Sequence, residues 1–533
     1  MHAAVVYHQN FEYTHNPDSV IHPLDWTLSF QFIFRKETIT NINVYQDLEP
    51  LELWRHFAAL NKIPRPSGHE AAARDYVQKI ADESGADSKI DAGGNIIVRV
   101  PARGANASTS EHAPTIAVQS HLDMVCEKRP DSLHNFALDP ILPRREGDLL
   151  FATGTTLGAD NGLGAAAALA LLTTPDLRHG PLELIFTVEE ETGLQGAMAL
   201  DASLLQSDVL INLDSEDPDE LTIGCAGGAE TFIKLPLDSA PIETPVSSQL
   251  IGCKLVVSGL KGGHSGVQIH EPLANAIKLL AGVLRAIAAA DMDFSLALLT
   301  GGSAHNAIPR DAFAEFAIAP EEWQSLEEIM AETVRALRAQ WIESEPDLSV
   351  ALSSIECPRQ IMPLSSQREF INLLGNLPHG VLKMSEVFPD KVQTSTNLAG
   401  VHFGEDSIEI ANSSRSFVEE DLKQVQQNIR ELGVAAGAQV EVSAGYPGWE
   451  PDPNSQLLKI TRAAYETVYG KPARVEVIHA GLECGVIVSK KPEMEAISFG
   501  PLIRGPHSPE ENLAISTVEP IWKLLVAVLA DLA

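Results

Sequence analysis

The chain has 533 residues, with 38 Lys and Arg against 72 Asp and Glu and a formal net charge of −34. So acidic a chain is excluded as a nucleic-acid binder, which needs clustered basic residues to displace counterions, and anionic membrane surfaces are disfavoured by the same sign. At 44% hydrophobic and 21% charged residues it has an ordinary globular composition, and its length allows about two to four domains at roughly 100 to 200 residues each.

Residues 1–46 hold 8 of the 30 aromatic residues and read as a segment apart: an appended lid, a disordered tail, or translation from an upstream start. They show neither the basic nor the apolar region of a secretory signal. Five cysteines (Cys126, Cys225, Cys253, Cys357 and Cys484), far apart and without a CxxC, suit a reducing cytoplasm. The apolar runs at Ala165–Leu172 and Leu279–Ala290 are too short or too interrupted by charge to span a bilayer.

From Leu51 the pattern alternates helix and short apolar strand: a helix over Glu70–Ala86, then strands at Ile96–Val100, Thr115–Gln119, Leu182–Val188 and Val209–Leu213. The Ala-rich run Gly164–Leu172 follows a Gly/Asp/Asn turn and predicts a buried helix. Similar signals return at Asn454–Tyr469, Val475–Ile478 and Glu495–Ser498, and the chain closes on an amphipathic helix, Val518–Leu532. The expectation is a discontinuous α/β domain over 47–226 and 448–533. Residues 227–447 carry a different texture, twice: strand, helix, two strands, helix, strand. The first copy spans Leu250–Leu352; the second runs from Gln367 to Ser443, with its first strand unclear. This predicts two α+β sandwiches side by side, inserted into the α/β domain.

Acids and histidines follow the apolar strands, where open α/β sheets place their sites. His121 and Asp123, two apart, project to one side of an extended strand, so that one can bind a metal and the other orient it. Asp160 sits among glycines, Glu189, Glu190 and Glu191 follow the third strand, Asp214 the fourth, and His507 lies between prolines. Singly, each reads equally as a cap, a turn or a solvated residue. Together they make a mixed imidazole and carboxylate set suited to zinc or a similar divalent ion, and a pair of ions about 3.5 to 4 Å apart needs one bridging carboxylate.

The motifs SHLDMV (Ser120–Val125), GTTLGADNG (Gly154–Gly162), EETG (Glu190–Gly193), LDSE (Leu213–Glu216), HAGLECG (His479–Gly485) and GPHSP (Gly505–Pro509) resemble the M20 family of metallopeptidases, in particular its aminoacyl-histidine dipeptidase branch. The resemblance runs from about Leu51 to the C-terminus. It implies a zinc-peptidase-type catalytic domain with an inserted, internally duplicated lid, and two divalent ions, zinc or, in its place, manganese or cobalt. It also implies that Asp160 bridges the two ions, with His121 and Asp214 completing one site and Glu191 and His507 the other. Asp123 then orients His121, and Glu190 is the general base that moves a proton from water to the leaving amine. Glu190 and Glu191 are chosen because they directly precede Thr192-Gly193; Glu189 is then structural.

By the same resemblance His264 in KGGHSG polarises the scissile carbonyl, while Asn306 in GGSAHNAIP and Arg415 in NSSRS hold the substrate's backbone and C-terminal carboxylate. The plainer alternatives are turn capping for His264 and Asn306, and a surface ion pair for Arg415. Glu483 either receives the substrate's free ammonium or is buried in a turn with Cys484, and His479 is equally open. His270, His305 and Cys126 are given no role. The implied partner is a small peptide, with no nucleic acid and no membrane, and the protein is a monomer or a homodimer, because a duplicated lid can supply its groups within one chain. The expected reaction is metal-dependent dipeptide hydrolysis. An amidase, deacylase or tripeptidase of the same fold is the second reading, and a catalytically dead scaffold the third.

Overall fold

Three neighbouring parallel strands organise the protein: Leu182–Thr187, Ile116–His121 and Val209–Asn212. All residues of the three are buried, which is why they read as continuous apolar runs rather than alternating ones. They lie in an eight-stranded sheet of order Asp87–Ile90, Ile96–Val100, Leu182–Thr187, Ile116–His121, Val209–Asn212, Glu495–Ser498, Glu220–Cys225, Arg474–Ile478. Strands from both ends of the chain therefore share one sheet. The computed structural model describes residues 44–104, 113–237, 240–241 and 249–533, of which 47–533 form one unit. The expectations for residues 1–43 lie outside the described residues.

The helix Ala159–Thr173 is buried along most of its length, packed between the helix Leu51–Leu60 and the strand Ile116–His121. Its run Ala165–Ala168 lets backbone approach backbone. It starts five residues before the Ala-rich run suggests, and Asp160 and Asn161 at that start depart from helical geometry. The other expected helices form as Ala71–Glu83, Gln456–Tyr469 and Val518–Asp531.

The two repeats lie side by side, as expected, and share one sheet. They fuse into one nine-stranded antiparallel sheet, which reads across as 349–355, 251–258, 312–318, 294–301, 392–403, 407–416, 227–236 and 439–442, with 380–384 also pairing 392–403. Taken in from each outer edge, both halves show the fourth, first, third and second strands of a repeat. The unclear first strand of the second copy is Gly227–Pro236, which precedes the whole first copy in sequence. One backbone pairing, Gly301 with Val401, stitches the seam. Apolar side chains of both halves, among them Leu255, Leu284, Phe316, Phe370, Leu398 and Ile429, form one continuous core. Helix Ala276–Ala289 starts where the Asn275 side chain accepts the N–H groups of Ile277 and Lys278. Lys278 in turn donates to the carbonyls of Leu374, Gly375 and Leu377 at the end of helix Leu364–Asn376, tying the halves together. Among the described residues, no helix is long and apolar enough to cross a membrane.

Candidate metal centre and catalytic cleft

The carboxyl ends of the three parallel strands deliver His121, the glutamates after Thr187, and Asp214 to one edge of the sheet. His121 is the last residue of its strand and is buried. Its Nε2 lies 3.1 Å from Asp160 Oδ1 and 3.4 Å from Asp214 Oδ1, and its Nδ1 lies 3.4 Å from Asp123 Oδ1. Asp160 faces both ways, since its Oδ2 is 3.3 Å from His507 Nε2, which is also 3.1 Å from Glu191 Oε2. Ligand atoms of His121, Asp160 and Asp214, of Asp160, Glu191 and His507, and of His121, Glu190 and Glu191 each lie within 4.8 Å of one another.

This donor set fits divalent cations held by imidazole and carboxylate. Hydrogen bonds to Asp160 and Glu191 push the His507 imidazole up to about 11. Burial lowers the pKa of His121, but the charge of Asp214 and hydrogen bonds to Asp123, Asp160 and Asp214 override it and raise it well above the usual value. Both rings thus sit where positive charge is wanted. Buried Glu191 Oε1 has no hydrogen-bond partner and is available to an ion.

Asp123 has no exposed surface, yet burial is outweighed by the hydrogen bond and charge of His121, the Ser67 hydroxyl at 2.7 Å and the Glu190 N–H, which bring it down to about 2. Its Oδ2, which takes the Ser67 hydroxyl, also accepts the Glu191 N–H at 3.2 Å, so one carboxylate fixes both the histidine and the glutamate loop. Glu190 and Glu191 line a cleft of about 710 Å³ together with Asp160, Asp214, Glu216, His264 and His507; Glu189 does not. Glu189 instead adopts a left-handed backbone, φ 51°, that turns the chain, with its N–H held by Glu70 at 3.1 Å. Burial, with the charges of Asp214, Glu483 and Glu191 adding and that of His121 opposing, holds the Glu190 carboxyl well above its usual range.

Residues without an assigned role in the sequence hold this edge together. Arg65, fully buried, donates to the carbonyls of Leu122 and Asp123 at 2.9 Å and of Gly158 at 2.6 Å, joining the His121 and Asp160 loops. Glu511 accepts the N–H groups of Leu157, Gly158, Ala159 and Asp160, capping the helix that presents Asp160. Asn161 donates to Asp214 and to the Leu213 carbonyl. Asn161 and Glu511 lie within or beside recognised motifs; Arg65 had no signal beyond its place between two prolines.

From the second sheet, His264 reaches the same cleft. Its Nδ1 accepts the N–H groups of Gly266 and Val267 at 3.2 and 3.1 Å, so the neutral ring carries its proton on Nε2. Burial and the charge of Arg415 keep it neutral by lowering its pKa. Arg415 donates to the Tyr446 hydroxyl at 2.7 Å, and its buried Nε has no hydrogen-bond partner. Asn306 lines an adjoining recess that also includes His264, and its carbonyl accepts the Ser265 N–H at 2.8 Å. The turn-capping alternative therefore accounts for the Asn306 backbone but not for its side chain.

Of the two alternatives for Glu483, receptor of the substrate ammonium or acid buried beside Cys484, the structure favours the buried one. It is fully buried, accepts hydrogen bonds from Gln119 and Thr187, and is absent from the cleft lining. It starts the helix Glu483–Lys490, and both hydrogen bonds reach its Oε2, while Oε1 is buried without a hydrogen-bond partner. His479 is likewise turned inward, its Nε2 2.7 Å from the Ser395 hydroxyl, with burial and the charge of Arg415 lowering its pKa to about 3. His305 packs edge-on against Phe232, away from the cluster.

A family model described as peptidase family M20/M25/M40 matches residues 117–531. The cytosol non-specific dipeptidase of Escherichia coli (strain K12) is 40% identical over 485 residues, 91% of this chain and 98% of that protein. The crystal structure of aminoacylhistidine dipeptidase from Vibrio alginolyticus superposes with a TM-score of 0.83 at 37% identity, covering 91% of this chain and 97% of that one. An aminopeptidase PepT from Bacillus cereus shares the fold alone, with a TM-score of 0.52 at 17% identity over 91% of this chain and 99% of its own. By sequence, fold and the set of residues at its strand ends, this chain belongs to the M20 peptidase family.

Proposed function

We propose that this M20-family hydrolase cleaves dipeptides in the cleft between the two sheets, with Glu190 as general base. The observation that carries the reading is the pairing of a half-buried, unbonded Glu190 carboxylate beside the candidate metal ligands with a neutral His264 across the same cleft. The 40% identity to a named dipeptidase over nearly its whole length supports the substrate class.

His121, Asp160 and Asp214 would hold one divalent ion and Asp160, Glu191 and His507 a second, with zinc the first candidate from the donor chemistry. Such ions, when bound, polarise a carbonyl and lower the pKa of water. The residues do the rest. Glu190 takes a proton from the attacking water as its oxygen bonds to the carbonyl carbon, and returns that proton to the nitrogen as the C–N bond breaks. The Nε2–H of His264 donates to the carbonyl oxygen as negative charge builds there, a contribution of a few kcal/mol from a preorganised donor. Arg415, with a donor to spare, receives the peptide's C-terminal carboxylate, and Asn306 its backbone. His264 and Asn306 come from one repeat and Arg415 from the other, so a single chain carries all three groups assigned to the substrate. Five free thiols and a cytosolic relative support a cytoplasmic place of action.

The test is hydrolysis of Leu-Gly, Cys-Gly, β-alanyl-histidine, N-acetyl-Leu-Gly and a tripeptide by the metal-stripped protein and after reloading with zinc or manganese. Cleavage confined to the free dipeptides and dependent on metal supports the reading. Cleavage of the N-acetylated peptide alone replaces it with a deacylase.

A further inference from the structure

A dipeptide's ammonium sits on the carbon next to the scissile carbonyl, so whatever binds it must stand beside the metal cluster. Glu483 is absent from the cleft lining, so the candidates for that acceptor are the acids that do line it. Asp160, Glu190, Glu191 and Asp214 belong to the cluster or the proton transfer. Asp217 and Glu220 are both paired to Arg474, at 3.1 and 2.7 Å, and Glu476 is paired to Lys391. Glu216 remains. It lines the cleft, and its carboxylate makes no hydrogen bond or ion pair with any described residue. It stands two residues after Asp214 and shares the cleft lining with Asp160, Asp214 and His507.

The position is also held in place. The Glu216 carbonyl accepts the Ile503 N–H at 3.1 Å, and the preceding Ser215 hydroxyl lies 2.8 Å from that of Ser498, which donates to Asn212. A carboxylate fixed this way, short of a partner and part-buried, loses little freedom on gaining a cation and is left desolvated and unpaired by a ligand that offers none. We infer that Glu216 is the substrate-binding residue that receives the free α-ammonium, and so sets the preference for unblocked dipeptides. This rests on the dipeptidase reading.

The experiment compares Leu-Gly with its des-amino analogue, 4-methylpentanoyl-glycine, on metal-replete wild type, Glu216→Gln, Glu216→Asp and Glu483→Gln, with metal content measured for each. Wild type is expected to favour Leu-Gly by about 100-fold or more in kcat/KM. In Glu216→Gln that preference collapses by at least about 10-fold, through a raised KM for Leu-Gly, while kcat/KM for the analogue and the metal content hold. Glu216→Asp, which keeps the charge on a shorter arm, retains an intermediate preference and serves if the glutamine variant does not fold. Glu483→Gln lowers both substrates together. Equal losses on both substrates in the Glu216 variants, or an unchanged preference, overturn the inference while leaving the dipeptidase reading standing. A wild type that cleaves neither substrate overturns both.

Discussion

Asp123 Oδ1 lies 3.4 Å from His121 Nδ1 and, at 3.1 Å, accepts the backbone N–H of Glu190. A single buried carboxylate thereby connects a proposed metal ligand on one strand end to the proposed general base on the next. Asp123→Asn keeps the shape but removes the charge that makes His121 a strong donor. Metal affinity is expected to fall about 10- to 100-fold, measured by chelator competition. An affinity equal to that of wild type refutes the orienting role.

Among three consecutive glutamates only Glu190 and Glu191 face the cleft. Glu190→Gln should lower kcat by about 100- to 10,000-fold, with metal stoichiometry intact. Glu189→Gln should stay within a few-fold of wild type, because its backbone makes the turn and its side chain is absent from the lining. Steady-state kinetics beside metal analysis decide the register.

Arg65 is the cation that the ligand loops close around, and its removal strands three buried carbonyls. Arg65→Met should cost about 3 to 5 kcal/mol in urea unfolding, the usual result of breaking a buried charged network from one side. The variant should also bind metal more weakly, because the Asp123 and Gly158 carbonyls lose their common donor. Stability within about 1 kcal/mol of wild type speaks against this account.

His56 joins helix Leu51–Leu60 to Tyr76 at 2.8 Å and Thr173 at 2.9 Å, far from the cluster. Burial, with the charge of Arg55 adding, lowers its pKa from 6.5 to about 4. The unfolded chain therefore binds a proton that the folded protein refuses. This contribution to stability is whole above pH 6.5 and is lost as the pH falls from there toward 4. At about 1.4 kcal/mol per unit the loss is about 3 kcal/mol. His379, lowered by burial to about 4, acts in the same direction. His56→Gln should flatten the fall in urea midpoint across this range; an unchanged slope sinks the assignment.

The sequence by itself determined which chemistry was available. His121, Asp160, Glu191, Asp214 and His507 each close a short apolar run or sit in a Gly- or Pro-bound turn, signals written within a few residues. The α/β layering was equally local, because strands buried on both faces read as apolar runs. What tertiary structure decided depends on pairings hundreds of residues apart. The strand Gly227–Pro236 completes a repeat whose other strands lie beyond residue 391, an exchange that no local period records. Arg65 and Glu511 matter through backbone groups of loops remote in sequence, and backbone groups carry no residue-specific signature. Glu483 and Glu216 read alike as motif acids, but the first is covered by Gln119 and Thr187 and the second faces the cleft. Burial is set by what packs on top of a side chain, and only the folded chain supplies that neighbour.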